Sequence, residues 1–478
     1  MDFATLFRTV KANIQDGENG DLIKASKLES NEKLKKHAEE TGFNLVPYDE
    51  MCRICKKFDV NPEHIYIISS SSKSISAYYY YDFPVFVEIH AMSEDAFKTL
   101  EFAKRIQVQS ENFNKYLKNQ QYNLFFAFID ERIRIMALHK LYKKIPKEER
   151  YEHFINIYTK LEFGFNHFKK EMIEDAISNQ PASVKETLKE NLDKISTDDE
   201  LVIYRGMGDF STPVNEAYSW TLNLSVADMF ANRTGGRFSE NDVIYTAKVK
   251  KADVIDFLVE RSEDEILVRP WDVYNVQKYD YVKVQEQIDS MGDNGYLYWY
   301  NTFKNQIKDE LFHNPNGVHG VLHTKRVLFN VLSLCNEFEL DDSDTSILCL
   351  AAVYHDIGRE HDDVDDLHGE KSWDKLSELN IIEELQDNYE VYEEDLEIIR
   401  FLMKYHCLND KVALGKISEL DTFKTREEVE LLFNIFKDAD GLDRMRFNDL
   451  NTRYLRLEES KKRVSFARNV IEFINRDN

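Results

Sequence analysis

The sequence predicts a multidomain α+β protein in three parts. These are a mixed, mostly helical N-terminal region with a short β segment (1–190), a β-rich middle (191–290) and an all-α C-terminal half (291–478). Three observations carry this reading. A chain of 478 residues is longer than one hydrophobic core accommodates. Its apolar pattern changes from helical to strand-like and back along the chain. With only 8 prolines and 16 glycines it has no repeat, collagen-like or linker-rich character.

Taken in order, residues 1–60 read as charged helix, with Lys24 to Glu40 rich in Lys, Glu and Ala. His64 to Ile68, a Ser69–Ser72 turn, Tyr78 to Tyr81 and Val85 to Ile89 then read as strands around a polar turn. The tyrosine run suits a base-stacking platform or a core, and alternating aromatic strands favour the core. From Ser93 to Asp193 the pattern is helical again, with Leu124, Phe125, Phe128 and Ile129 at helical spacing. This third carries no catalytic signature. In the middle, Leu201 to Tyr204, Val243 to Val249 and Ile266 to Val268 read as strands. From about residue 300 nearly everything reads as helix, and Glu383 to Glu397 as an exposed helix with its loop.

Composition narrows the function. Apolar content of 42% and aromatic content of 13% suffice for buried cores. A formal charge of −25 disfavours a broad polyanion-binding surface, and the local basic run Lys140 to Lys147 reads as a solvated helix face. The five scattered cysteines indicate a reducing compartment. Cys52-Arg53-Ile54-Cys55 has the spacing of half a zinc site, with no second pair of matching spacing. The first twenty residues hold no uninterrupted apolar core and no 18-residue apolar run exists, so the expectation is a cytoplasmic protein without a signal peptide or membrane partner.

The most informative residues are His355 and Asp356, at the end of the apolar run Ala351-Ala352-Val353-Tyr354, with Gly358 placed to terminate the helix. An imidazole and a carboxylate at a buried helix end are costly unless a cation binds them. His319 and His323 lie upstream, four apart on one helix face. His368, His406 and the cluster Asp438-Ala439-Asp440-Gly441-Leu442-Asp443 follow. This order of His, His-Asp, His, His and Asp over residues 310–460 resembles the HD-domain metal-dependent phosphohydrolases in their two-metal form. The resemblance implies that His323, His355, Asp356 and Asp440 bind one ion. Asp356 would bridge to a second, completed by His368 and His406. Imidazole and carboxylate ligands suit Fe, Mn, Co or Ni. Between two such cations water is acidified towards hydroxide and can attack a nucleotide or other phosphoester in line. His319 binds substrate phosphate or supports the cage. Arg359 and Arg444 are phosphate contacts or surface salt bridges.

A second set lies in the β-rich middle: Tyr204-Arg205-Gly206, then Tyr218-Ser219-Trp220-Thr221, then Arg261-Ser262-Glu263-Asp264-Glu265. Strand alternation predicts Glu263 and Glu265 side by side on one face. The order over residues 195–275 resembles the Arg–Ser–Glu mono-ADP-ribosyltransferases. By that resemblance Arg205, with Ser219 and Thr221, binds NAD as co-substrate, and Ser219 hydrogen-bonds the catalytic Glu265. Glu265 stabilises the oxocarbenium-like transition state, and Glu263 orients a macromolecular acceptor, protein in preference to nucleic acid. Trp220 departs from the family triplet; it stacks on a base or fills the core. The chain therefore reads as a bifunctional enzyme, or as a nucleotide-sensing regulatory protein with one active module.

Overall fold

The computed structural model describes residues 22–28, 30–68, 77–160, 167–208, 211–231, 243–258, 263–383, 386 and 391–476. Two compact units divide the chain, Met1–Thr197 and Asp198–Asn478. No described helix is long and apolar enough to cross a membrane.

The first unit holds an antiparallel sheet in the order β1 (Leu22–Lys24), β2 (Ile65–Ile68), β3 (Tyr78–Asp82), β4 (Val85–Ile89), followed by helices from Glu94 to Ile195. The expected Ser69–Ser72 turn lies outside the described residues. Leu22 to Lys24, expected as helix, is instead an edge strand of the described sheet. Three residues are too few for any period to show, and it is pairing with β2 along one side that makes them a strand. Tyr78 to Tyr81 are all buried, with Tyr79 stacked on Phe86 at 5.2 Å and the Arg132 guanidinium over both rings. The run is core. Phe125 and Ile129 are buried, but Leu124 and Phe128 face outward, and Phe128 stacks on Tyr116. Cys52 and Cys55 share the helix Tyr48–Lys57 as free thiols.

The second unit begins with an antiparallel six-stranded sheet. Its strands are β5 (Glu200–Met207), β6 (Ser219–Thr221), β7 (Val243–Lys250), β8 (Val254–Leu258), β9 (Glu265–Val268) and β10 (Tyr274–Lys278), in the order β10-β7-β5-β6-β9-β8. Helix α1 (Leu224–Ala231) packs on it. The all-helical part carries α2 (Val321–Phe338), α3 (Asp342–Tyr354), α4 (His368–Glu378), α5 (Glu393–Tyr405), α6 (Arg426–Leu442) and α7 (Val464–Arg476). Part of the acidic stretch from Glu383 to Glu397 is not among the described residues; Glu393–Glu397 opens α5. Helices α2 and α3 are buried almost all round, which is why their apolar run is nearly unbroken.

Sheet and helices share a small core in which Leu224, Ala227 and Ala231 of α1 meet Leu442, Met445, Leu450 and Val464. Asn223 donates to the Leu450 carbonyl at 3.0 Å and accepts from the Thr452 amide at 3.3 Å. Asp228, fully buried, accepts from the Ser465 hydroxyl and, at 2.7 Å, from Arg468 Nε. Both polar groups are satisfied across the contact, as buried polar groups must be.

Candidate metal centre and a second site in the sheet

Five helix termini converge on one cluster. His323 and His368 lie in the first turns of α2 and α4, Asp440 lies in the last turn of α6, and His355 and His406 cap the C-terminal ends of α3 and α5. Two glycines permit the approach. A Cβ on Gly358 would collide with the backbone of Lys371 and Ser372 in α4, and one on Gly369 with the Met403 carbonyl of α5. Gly358 was expected to end α3, but the helix already ends at Tyr354 and Gly358 serves this packing.

The imidazoles are oriented by their Nδ1 atoms. His355 Nδ1 donates to the Ala352 carbonyl at 2.8 Å, His406 Nδ1 to the Met403 carbonyl at 2.6 Å and His368 Nδ1 to the Asp365 carbonyl. In each case the acceptor is the carbonyl three residues earlier; for α3 and α5 it is one that a helix C-terminus leaves without a partner. His323 Nδ1 donates to Asp443 Oδ2 at 2.7 Å, and Arg326 and Arg446 bind the same buried carboxylate. With Nδ1 protonated, each Nε2 presents a lone pair. Yet His323 Nε2 and His355 Nε2 lie 3.2 Å apart, and His368 Nε2 and His406 Nε2 lie 2.8 Å apart. Burial pushes His355 down to about 3, so at neutral pH it brings no proton to this contact.

Carboxylate oxygens complete both pairs. Asp356 Oδ2 is 3.3 Å from His323 Nε2 and 3.5 Å from His355 Nε2, and Asp440 Oδ1 is 3.4 Å from His323 Nε2. The other oxygen, Asp356 Oδ1, is 3.0 Å from His368 Nε2 and 3.7 Å from His406 Nε2. Bonds of about 2.0–2.2 Å to a shared ion put neighbouring ligand atoms ~3.0–3.5 Å apart, so this donor set fits divalent ions. Burial opposes charge on Asp356, but the surrounding imidazoles of His355, His319, His323 and His368 hold its carboxyl well below the ordinary range. The cluster opens at His319 and Asp440, whose side chains are 25% and 32% exposed, while His355, Asp356 and His368 are closed off.

The cluster thus gathers His323, His355, Asp356, His368, His406 and Asp440. His319 Nδ1 is 3.0 Å from Asp356 Oδ2. Asp438 faces away, accepting from the backbone and guanidinium of Arg456. Arg359 joins the cluster, whereas Arg444 pairs with Asp449 on the surface. Sequence reasoning missed Asp443, Arg326 and Arg446; only the spacing His323-Thr324-Lys325-Arg326 and the third acidic residue of the Asp438–Asp443 cluster hinted at them. It also missed Cys407, whose thiol groups with His368 and His406.

In the sheet, Ser219 pairs with Leu267 and Thr221 with Glu265, so Ser219 and Glu265 are diagonal neighbours on one face. Ser219 Oγ donates to Glu265 Oε1 at 2.6 Å. Strands β5 and β6 pair only at Tyr204 and Thr221. Arg205 Nη1 donates to the Ser219 carbonyl at 2.6 Å and Nη2 to the Thr212 carbonyl at 3.3 Å. Thr221 Oγ1, buried, donates to the Glu263 carbonyl at 2.6 Å. One expectation fails. Glu263 is not a strand neighbour of Glu265, because Asp264 adopts a left-handed φ of 44° and β9 starts only at Glu265. Arg453 Nη2 holds Asp264 at 3.0 Å, and the Leu222 amide donates to its carbonyl, so alternation does not run through this turn. Arg261 and Ser262 lie outside the described residues. Trp220 is buried and fills the core.

Residues 321–445 match the HD domain family. No curated protein and no solved structure matches the chain. An HD domain with this His/Asp cluster is compatible with divalent metal binding and suggests a metal-dependent phosphohydrolase.

Proposed function

We infer that the helical part hydrolyses a nucleotide or other phosphoester with two divalent transition-metal ions of the Fe, Mn, Co or Ni type. His323, His355, Asp356 and Asp440 would hold the first, and Asp356, His368 and His406 the second. The observation that carries this reading is the pair of facing Nε2 lone pairs, each completed by a separate oxygen of Asp356. Neutral nitrogens facing each other repel, and a cation between them turns repulsion into coordination. When bound, such ions supply Lewis acidity and positive charge where a phosphoryl group is attacked. The chain itself does the positioning. Asp443 and three backbone carbonyls aim the imidazoles, and Asp356 ties the two halves together. His319, at the opening, contacts Asp356 through Nδ1 and is exposed enough to meet an incoming anion. Metal analysis and a phosphoester screen test this on wild type and Asp356→Ala. Hydrolysis should fall to background in the variant, with metal content reduced. Full turnover in Asp356→Ala would refute the assignment.

A second reading concerns the sheet, and one observation favours it: Ser219 donates to Glu265 as the resemblance to Arg–Ser–Glu transferases requires. On this reading Arg205, Ser219 and Thr221 serve NAD, Glu265 is catalytic, and Glu263 addresses a macromolecular acceptor, protein before nucleic acid. Glu265→Gln should abolish nicotinamide release from NAD while leaving phosphoester hydrolysis intact. Wild type that releases no nicotinamide in the presence of a lysate sinks the transferase. It would leave a regulatory module that at most senses a nucleotide.

A further inference from the structure

The two halves of the cluster differ in what surrounds their ligand atoms. Around His323 Nε2, His355 Nε2, Asp356 Oδ2 and Asp440 Oδ1 no described arginine or lysine makes a hydrogen bond; His319 adjoins them, and Arg446 meets His323 only at Nδ1, on the far side of the ring, at 2.8 Å. In the other half Arg359 is already in place. Its Nε donates to Asp356 Oδ1 at 2.9 Å, its Nη2 lies 3.3 Å from His368 Nε2, and its Nη1 donates to the Asp363 carbonyl at 3.2 Å. Asp356 Oδ1 and His368 Nε2 are two of the three atoms assigned to the second ion. The guanidinium is permanently cationic and presents only N–H donors, so it satisfies a lone pair and a carboxylate without being a ligand. A divalent ion and this guanidinium cannot both hold His368 Nε2, which has a single lone pair, and around Asp356 Oδ1 the like charges repel at that range.

We propose that Arg359 is the resident cation of the second half of the cage and competes with the second divalent ion for Asp356 Oδ1 and His368 Nε2. The first ion then binds to a preformed set of atoms. The second enters only when Arg359 turns away, so the ions load in order and the second is the weaker. The helix-end backbone around Arg359 need not move, because among the described residues the side chain is anchored beyond the cage only by the Asp363 carbonyl. This rests on the two-ion reading above.

The test uses the full chain, stripped with chelator and titrated with Mn2+. Calorimetry gives the number and affinity of ions, and electron paramagnetic resonance reports the exchange-coupled pair. In wild type the second ion should bind at least roughly 10-fold more weakly than the first, and Arg359→Gln should tighten the second alone by about that factor. Arg359→Lys keeps the charge but cannot span both atoms, so it should narrow the gap in the same direction and serves where the glutamine variant does not fold. A second ion that is unchanged or weakened in both variants overturns the proposal. Failure of the two-ion reading looks different: Mn2+ binding would be absent, or indifferent to His355→Ala.

Discussion

The helical cage and the sheet site both gather charged side chains from distant stretches of chain, but they differ in what they leave unsatisfied. In the cage the protein fixes every imidazole through Nδ1 and turns the lone pairs inward upon each other. In the sheet, Ser219 donates to Glu265, Thr221 to the Glu263 carbonyl, and Arg205 to the carbonyls of Ser219 and Thr212. One arrangement turns lone pairs towards a place that a cation can occupy. The other closes on itself. Residue identity alone does not distinguish these cases; the direction of each donor does.

Asp443→Ala should break this contrast most severely. It strips the buried partner from Arg326 and Arg446 and frees His323 to turn. Losing one member of a buried charge cluster costs about 3–5 kcal/mol. Losing the partner that orients a ligand histidine weakens metal binding roughly 10- to 100-fold. Denaturant unfolding and metal titration read the two effects, and unchanged values in both would show that Asp443 does not hold the cage.

A pH series sharpens the comparison. His355 titrates at about 3 in the folded chain against 6.5 when unexposed to such burial, so the unfolded chain binds its proton first as pH falls. Metal-free protein should therefore lose stability progressively from pH 6.5 downwards. Asp356 and Asp440, whose folded values are depressed, contribute stability that is lost only below the ordinary carboxylate range. Melting temperatures of chelator-treated wild type and His355→Gln, between pH 7.5 and 4.5, check this: the variant should show the flatter slope. The smallest effect belongs to the sheet. Glu265→Gln keeps an oxygen for Ser219, so stability should change by about 1 kcal/mol or less, with Mn2+ binding untouched.

How much of this was legible in the sequence follows from the same contrast. That His323, His355, Asp356, His368, His406 and Asp440 gather in one place was legible from their order along the chain and its resemblance to the HD family, with His355 and Asp356 marked out by the apolar run before them. Asp443 was not readable as a support, since its partners Arg326 and His323 come from α2, more than a hundred residues away in sequence. Arg359 was noticed, but nothing local tells whether a guanidinium turns outward to phosphate or inward to Asp356. Strands β6, β8 and β10 escaped: β6 has three residues, β8 is a short run without strict alternation, and β10 is an exposed, polar edge. Glu263 was misplaced because alternation assumes extended backbone, and Asp264 is left-handed.

The stretch from Asp440 to Arg453 touches the cage at one end and the sheet at the other, through Leu450, Thr452 and Arg453. The molecule consequently has no clean fracture line near residue 290. Cutting there would leave the Leu450 carbonyl without the Asn223 amide and Arg468 without Asp228. It would also wet the apolar side chains of Leu442, Met445 and Val464 that α1 covers. The sheet is thus a wall of the room in which the helices fold.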